Sequence, residues 1–545
     1  MKAKRCALAI VPAALVMGVF APGAAGQAHQ HGQASPVAGE ERLGRVNFQV
    51  SCSPGAQKPF DRALALLHSF WYLEALKSFT AIAKTDPDCA MAQWGSAMSL
   101  WYQIWSPPRP AALKQGLEAV EKAKALGGKT PRERDFIAAA EAFFRDHDTR
   151  DHPTRVLAYE QAMEWAYARS PNDADVALLY ALALLAAADP HDKTYAKQRK
   201  SGAIAERIQA AQPEHPGAAH YLIHAYDYPA LAAQARAAAD SYAKFAPSSP
   251  HALHMPSHIY VLLGMWPETI QGNQVAAEAE RTRGNPDDYM HALDFLVYAH
   301  LQRGEDADAL RVLKDGRAIV ADMAARKYDS GRHTAPFSIA AMEARYALER
   351  GRWAEAAALD PITSRFAYAD AHAIFARAVG AARAGHVAPA RADVERLVTL
   401  RDALLQAKNA YWAEQVEIQR RAAAGWLARA EGRNDEAVAL MRSAAELEEG
   451  TEKRSVSPGP ILAAREQLGD LLLDLRQAAP ALREYEASLQ LVPARFRSFY
   501  GAAKAALAAG DQAKAAAYFT KLVAVATPGS DRAEVKEARA FLARR

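Results

Sequence analysis

The sequence is poor in cysteine, in long apolar runs and in strand-like patterns. Only 3 of its 545 residues are cysteines, which excludes a small fold held together mainly by disulfides. Beyond the N-terminus no segment approaches the roughly 20 consecutive apolar residues of a membrane helix, so we expect no membrane insertion. Clusters of β-branched residues with alternating polarity are scarce as well, which argues against sheets.

What the sequence has in abundance is alanine in helix-favouring surroundings. Alanine dominates runs such as Ala230–Ala239 and Ala502–Ala509, and alanine has the highest intrinsic helix propensity. At 545 residues the chain exceeds the size at which one hydrophobic core stops growing. We therefore predict an all-α protein that contains either several domains or a repeat array.

The N-terminus has the pattern of a secretory signal peptide. Three basic residues, an apolar stretch from Ala7 to Ala21 and small residues up to Gly26 make residues 1–26 a cleavable signal. We expect the mature protein to be periplasmic or secreted. Cleavage removes three of the positive charges, so the formal charge of +4 falls to about +1. That balance gives no case for nucleic acid or an anionic membrane as partner.

Two cysteines, Cys52 and Cys89, belong to the mature chain. In an oxidising compartment a lone pair of cysteines is most simply a disulfide. The pair could also be thiolate metal ligands or two free buried thiols, and the sequence leaves these alternatives open.

An internal repeat is visible near both ends of the chain. Ala75, Phe79 and Ile82 precede an Asp-Pro pair, and Ala515, Phe519 and Leu522 repeat the spacing. This small–aromatic–aliphatic spacing resembles the second helix of a tetratricopeptide repeat, a hairpin of two helices about 34 residues long. The resemblance implies a right-handed superhelical solenoid of stacked helical hairpins, roughly a dozen of them, whose first helices line a concave groove.

The resemblance also suggests a division of the chain. Residues 27–45 are predicted to be a flexible leader and residues 46–445 the main array. A Ser-, Pro- and Gly-containing stretch at 446–460 is predicted to be a linker loop, followed by C-terminal repeats at 461–545.

Histidines are concentrated at the centre of the array. His220 lies 34 residues before His254, and His224 lies 34 residues before His258, so each pair is separated by one repeat length. His220 and His224 are four residues apart, and so are His254 and His258. This spacing places both histidines on one face of a helix. The third hairpin is aligned by matching Gly304 with Gly264. His291 then falls into register with His251, and Asp294 with His254. The predicted metal ligands are His220, His224, His254 and His258, with Asp227, His251, His291 and Asp294 in support.

Imidazoles and carboxylates in such a cluster suit zinc, copper, iron or nickel. No HExxH metalloprotease motif occurs in the sequence. A metal-dependent hydrolase or oxidoreductase is one alternative, with Asp227, Asp294 or Tyr298 as acid or base. A metal-free scaffold that holds a peptide against the histidines is another.

The motifs H220-x-x-x-H-A-Y-D227 and H251-A-L-H-M-P-S-H258 resemble those of a group of exported bacterial tetratricopeptide proteins. The resemblance implies a fold and a location but no activity. We therefore expect an exported binding scaffold whose groove holds a peptide, a protein or a small ligand, together with a transition metal at the histidine cluster.

Overall fold

Helices and the short connections between them make up nearly all of the chain. A computed structural model describes residues 41–101, 107–361 and 363–544, and within these ranges there is no β-strand. No described helix is both long and apolar enough to cross a bilayer. The predicted signal peptide, and all but the end of the predicted leader, lie outside the described residues.

The helices are numbered here in chain order. The first nine are α1 Gln57–His68, α2 Tyr72–Thr85, α3 Ala90–Leu100, α4 Pro110–Leu126, α5 Pro131–Phe144, α6 His152–Arg169, α7 Ala174–Ala186, α8 Ala196–Ala211 and α9 Pro216–Ala225. The next nine are α10 Arg236–Phe245, α11 Pro250–His254, α12 Pro256–Leu262, α13 Trp266–Arg283, α14 Pro286–Gln302, α15 Asp306–Ala325, α16 Thr334–Leu348, α17 Trp353–Ala357 and α18 Ala367–Arg383. The remainder are α19 Val387–Gln406, α20 Ala410–Ala430, α21 Asn434–Gly450, α22 Ala464–Asp474, α23 Ala478–Leu491, α24 Phe496–Ala508, α25 Gln512–Val525 and α26 Ala533–Leu542. Short 3₁₀ turns occupy Pro54–Ala56 and Ala232–Ala235.

Successive helices pair as antiparallel hairpins, and neighbouring hairpins stack. Each helix packs against the next one along the chain, and first helices of adjacent hairpins also touch, as α14 does with α16 and α18 with α20. A single hairpin cannot bury its apolar stripe, but stacked hairpins share one continuous core. The predicted all-α solenoid of tetratricopeptide-like hairpins is confirmed.

Small residues let the helices approach one another, as the repeat pattern predicted. Phe79 on α2 is fully buried against Gly95 on α3, where an added Cβ would overlap the phenyl ring. The same contact recurs at the C-terminal end, where Gly501 on α24 meets the buried ring of Tyr485. Since close-packed interiors leave no space for an extra methyl group, glycine is required at both positions.

The disulfide expected from the cysteine count is present. Cys52 and Cys89 are bonded, with 4.8 Å between their Cα atoms. The bond ties the extended segment before α1 to the start of α3. That segment also reaches the fifth hairpin, because the Arg45 amide donates to the Glu214 carbonyl at 2.8 Å. The first described residues are thus held next to the start of α9, the first helix of the central hairpins.

A second irregular segment crosses the interior of the array. Of the predicted linker 446–460, the first five residues complete α21, which ends at Gly450. The following residues 451–463, here named the inner segment, lie over the first helices of the central hairpins. The Lys453 ammonium meets Asp227 at 3.0 Å, and the Arg345 guanidinium donates to the Gly459 carbonyl at 2.7 Å. The described chain forms one compact unit, and the inner segment covers the surface on which the histidines lie.

Candidate metal centre

The predicted histidines lie on the first helices of three consecutive hairpins. His220 and His224 are on α9, His254 and His258 on α11 and α12, and His291 on α14. The register inferred from the 34-residue spacing therefore holds in three dimensions, and the rings converge.

Pro256 divides the middle helix into α11 and α12. Proline has no amide proton, so one bond of the helix ladder is lost there. The His258 amide bonds the Met255 carbonyl at 3.1 Å, and the Ser257 hydroxyl donates to the His254 carbonyl at 2.6 Å. The backbone continues in helical angles through Met255, so Pro256 tightens the helix between His254 and His258 without ending it.

The six rings form two groups of three. The first triad is His220, His224 and His251; the second triad is His254, His258 and His291. Within each triad one nitrogen from every ring lies within 4.8 Å of the others. Four of the six residues are at most 6% exposed, while His251 and His291 are half-buried.

In the second triad, hydrogen bonds fix the tautomer of two rings. His254 Nδ1 lies 2.7 Å from Asn273 Oδ1, and the Asn273 amide nitrogen donates to the Thr269 carbonyl, so the oxygen faces the ring. His258 Nδ1 lies 2.9 Å from an Asp227 oxygen. Both acceptors require a proton on Nδ1, so in the neutral form of each ring Nε2 has the lone pair. The two Nε2 atoms face each other at 3.0 Å.

The first triad has one ring fixed in the same way. His220 Nδ1 lies 2.6 Å from the backbone carbonyl of His68, which can only accept, so His220 carries its proton on Nδ1. Its Nε2 lone pair lies 3.1 Å from His251 Nε2. A bond from the far ring nitrogen to a carbonyl, amide or carboxylate is the usual support of a metal-bound histidine.

Burial favours the neutral form of five of the six rings. Desolvation lowers the pKa of His220 and of His254 to about 3. It also holds the pKa of His224, His251 and His291 well below the ordinary value, and the neighbouring imidazoles add to the shift. Neutral imidazole is the form that binds metal.

Asp227, one of the predicted ligands, supports a ring from behind. Burial opposes the ionisation of its carboxyl, but the Lys453 ammonium and His258 outweigh burial and hold its pKa below the usual value. The carboxylate therefore accepts from both His258 and Lys453. This is the carboxylate–histidine pairing found behind many metal ligands.

Each triad packs against one phenylalanine. The Phe70 ring centre lies 4.3 to 5.6 Å from the ring centres of the first triad. Phe295 lies 4.7 to 5.2 Å from those of the second triad. Apolar rings at this position exclude water and limit the rotation of the imidazoles.

A cavity of about 30 Å³ lies between the triads. Five of the six histidines line it, together with Glu280, Asp288 and Arg332, and the inner segment closes it with Ser455 and Val456. A volume of roughly 10–15 Å³ admits one water-sized body. The space therefore suits ions and one or two small ligands rather than a peptide.

Asp294, predicted as a supporting ligand, lies apart from both triads. Its carboxylate pairs with the fully buried Arg345 of α16, which draws it toward the next hairpin. Tyr298, the predicted alternative acid or base, accepts a 2.7 Å hydrogen bond from Arg495. Both side chains thus pair with arginines, which the sequence did not predict, because the register fixes the height of a side chain along its helix but not its partner.

A third buried cluster escaped the sequence analysis. Asp175 on α7 accepts from His68 Nε2 at 3.0 Å and from His215 Nε2 at 3.3 Å. Tyr221 completes it, with its hydroxyl 2.8 Å from His68 Nδ1. We name His68, Asp175 and His215 the carboxylate-paired cluster. No spacing in the sequence links these residues, since His68 and Asp175 are separated by 107 positions.

Asn273, which orients His254, was also missed. It is fully buried on α13, the second helix of its hairpin, whereas the histidine register relates first helices only. An uncharged amide at a core position is the one local signal that could have revealed it.

The similarities of the chain to known proteins are weak. No protein-family profile matches the sequence, and no curated protein matches it significantly. Solved structures that resemble it include a tetratricopeptide repeat protein from Parabacteroides merdae, with 13% identity, 55% of this chain and 98% of that chain covered, and a TM-score of 0.30. Yeast Tom70 has 12% identity, coverage of 90% and 96%, and a TM-score of 0.27. The human IFIT1 dimer with m7Gppp-AAAA has 10% identity, coverage of 80% and 90%, and a TM-score of 0.34. Likeness at this level carries no information about a ligand.

Proposed function

We propose that the protein is an exported scaffold that binds two transition-metal ions, one at each histidine triad. The observation that carries the proposal is the pair of facing Nε2 atoms of His254 and His258, 3.0 Å apart. Each ring directs its Nδ1 at an acceptor behind it, so in the neutral form of both rings the two Nε2 atoms present lone pairs to each other.

The distances suit a shared cation. Two nitrogens bound to one tetrahedral zinc at about 2.0–2.1 Å lie roughly 3.3 Å apart. The facing Nε2 atoms are 3.0 Å apart in the second triad and 3.1 Å apart in the first. A cation between the nitrogens converts repulsion between lone pairs into attraction.

The ligand set defines the class of metal. Three imidazoles without thiolate suit zinc, copper, iron or nickel, whereas magnesium and calcium prefer oxygen ligands. Three protein ligands leave at least one coordination position for water or a small molecule.

Export and the binding role form part of the same proposal. The bond between Cys52 and Cys89 is the kind that persists outside the cytosol, which supports the signal-peptide prediction. The inner segment covers the histidines, so we assign the centre to metal and small ligands. Peptide or protein partners are assigned to the remaining surface.

A metal-dependent enzyme is the second candidate, and one observation favours it. Glu280 lines the cavity between the triads, and burial together with the Asp288 charge raises its pKa to about 8. A protonatable carboxyl beside an open metal position is the arrangement that general acid–base catalysis requires.

The test is the metal content of the mature chain, purified without a histidine tag and reconstituted separately with zinc, copper, iron and nickel. We expect about two ions per chain for one of these metals, and almost none in the variant that combines His220→Ala with His254→Ala. The matched control is His386→Ala, which removes an exposed histidine. Absence of bound metal under all four conditions overturns the proposal, and so does equal loss in the control.

A further inference from the structure

A larger cavity lies on the other side of the inner segment. It has a volume of about 380 Å³ and lies between α16, α18, α20 and the segment itself. This volume is within the roughly 300–1,000 Å³ of small-molecule pockets. None of the six triad histidines lines it.

Much of its wall is apolar. Phe337 and Trp412 contribute aromatic surface, and Ile418 and Leu462 contribute aliphatic surface, all of them at most 8% exposed. Flat aromatic walls favour a flat apolar body between them.

Four polar side-chain atoms of the lining have no hydrogen-bond partner among the described residues. They are His372 Nε2, Gln415 Nε2, Gln419 Oε1 and Thr451 Oγ1. His372 is 6% exposed, and its Nδ1 lies 2.8 Å from the Gln419 amide nitrogen. Because that amide donates to Nδ1, the proton of the ring is on Nε2 as an unused donor. Buried polar groups left unpaired are costly, so the lining favours a ligand that completes them.

The charges around the cavity are paired, with two exceptions among the described residues, Glu448 and Arg454. The Glu448 carboxyl accepts from the Ala464 amide at 2.9 Å, and burial raises its pKa to about 7, which favours its neutral form. Lys193 pairs with Glu452 at 2.7 Å, and two further lining charges are paired outside the cavity, Glu449 with Arg465 and Lys453 with Asp227. Arg454 has no carboxylate within ion-pair distance among the described residues. Its guanidinium stacks over the Tyr411 ring, 4.4 Å from the ring centre. An unpaired guanidinium beside an apolar chamber attracts an anion.

We infer that this cavity binds a small organic molecule with a flat apolar body and one anionic group, of the aromatic carboxylate class. The Arg454 guanidinium meets the anionic group, the aromatic walls hold the body, and the side chains of His372 and Gln415 donate to its remaining acceptors.

The site is separate from the metal centre but shares a wall with it. Ser455 and Val456 face the metal cavity, whereas Arg454 and Ser457 face the large one. The inference does not depend on metal, so the experiment is performed both on metal-free and on reconstituted protein, with metal content measured in each.

The probes are two dyes that differ by one sulfonate group. One is 1-anilinonaphthalene-8-sulfonate, an apolar ring system with one sulfonate, and the other is the uncharged N-phenyl-1-naphthylamine. We expect saturable binding of about one sulfonate dye per folded chain, displaced by 2-naphthoate. Arg454→Gln should weaken binding of the sulfonate dye roughly tenfold or more, and that of the neutral dye less than twofold.

Two further variants separate the cavity from the general surface. Arg311→Gln, on the exposed face of α15, is the matched control and should leave both dyes unchanged. Gln415→Trp fills the cavity and should abolish binding of both dyes without changing the metal content. Non-saturable binding, failure of 2-naphthoate to compete, or equal weakening in Arg454→Gln and Arg311→Gln would overturn the inference. Thermal melting of each variant confirms that it is folded.

Discussion

The carboxylate-paired cluster and the second triad contain similar residues in the same core, yet they differ in what their ring nitrogens face. In the paired cluster, His68 and His215 both direct Nε2 at Asp175. In the second triad, Asp227 bonds the far nitrogen of His258, which leaves Nε2 directed at another imidazole. In one arrangement two imidazoles share a carboxylate, and in the other two imidazole nitrogens face each other.

The difference indicates that the role of a buried histidine cluster depends more on which ring nitrogens carry protons than on the number of histidines. A carboxylate in front of a ring neutralises the site, whereas a carboxylate behind it prepares a metal ligand. The first triad is intermediate, because the acceptor behind His220 is an uncharged backbone carbonyl and not a carboxylate. We therefore expect the second triad to bind metal more tightly than the first.

The largest expected effect comes from removing one ring of each cluster. His254→Ala takes away a fixed ligand, so the reconstituted chain should lose the ion of the second triad and retain about one of two. His215→Ala should retain both ions and lose roughly 1–3 kcal/mol of stability, because Asp175 loses a buried partner. Metal analysis and urea unfolding of the two variants measure this contrast. If His215→Ala also releases an ion, the two clusters are not distinct.

The next largest effect is expected from replacing Asp227, with Asp175 of the carboxylate-paired cluster as the matched control. Asp227→Asn removes the charge that supports His258 and should weaken metal binding at the second triad by about 10- to 100-fold. Asp175→Asn should leave metal affinity unchanged. Competition with a chromophoric chelator measures both affinities. Similar losses in the two variants would show that Asp227 acts through general stability and not through its ring.

Removal of metal should lower the stability of the protein only when the triads are intact. A ligand held at about 100 times its dissociation constant stabilises the folded state by roughly 2.7 kcal/mol. A chelator should therefore lower the melting temperature of the wild-type chain and of His215→Ala. It should leave the double variant His220→Ala/His254→Ala unchanged. A chelator-dependent shift that persists in the double variant would place the metal elsewhere.

The smallest effect is a pH dependence of the paired cluster. Burial lowers the pKa of His68 below its ordinary value of 6.5, so the unfolded chain binds the proton more readily. The contribution of His68 to stability is then complete above pH 6.5 and declines as the pH falls below it, by up to about 1.4 kcal/mol per pH unit. Urea unfolding at pH 7, 6 and 5, in chelator, should show a shallower decline for His68→Gln. An unchanged slope in that variant would contradict this account.

The sequence alone predicted the helical hairpins and the convergence of the six histidines. Both follow from local rules, since the 34-residue spacing of His220 and His254 assigns them to equivalent places in adjacent hairpins. The disulfide followed from cysteine count and compartment. Metal binding itself remains a prediction.

The roles of individual carboxylates could not be predicted. Asp294 and Asp227 had equal standing as ligands in the sequence, but Asp294 pairs with Arg345 and Asp227 with His258. Those partners depend on hairpin packing and on the course of the inner segment, for which a single sequence has no spacing rule. The same applies to Asn273 and to His68, which lie on helices that the register did not relate to the cluster.

The most direct test of the central claim is anomalous diffraction from crystals of the reconstituted protein, recorded at the absorption edge of the bound metal. The account predicts two peaks, one per triad, with the stronger peak about 2.0–2.1 Å from Nε2 of His254 and of His258. A map without peaks at the triads, or with its peak at the carboxylate-paired cluster, would contradict it.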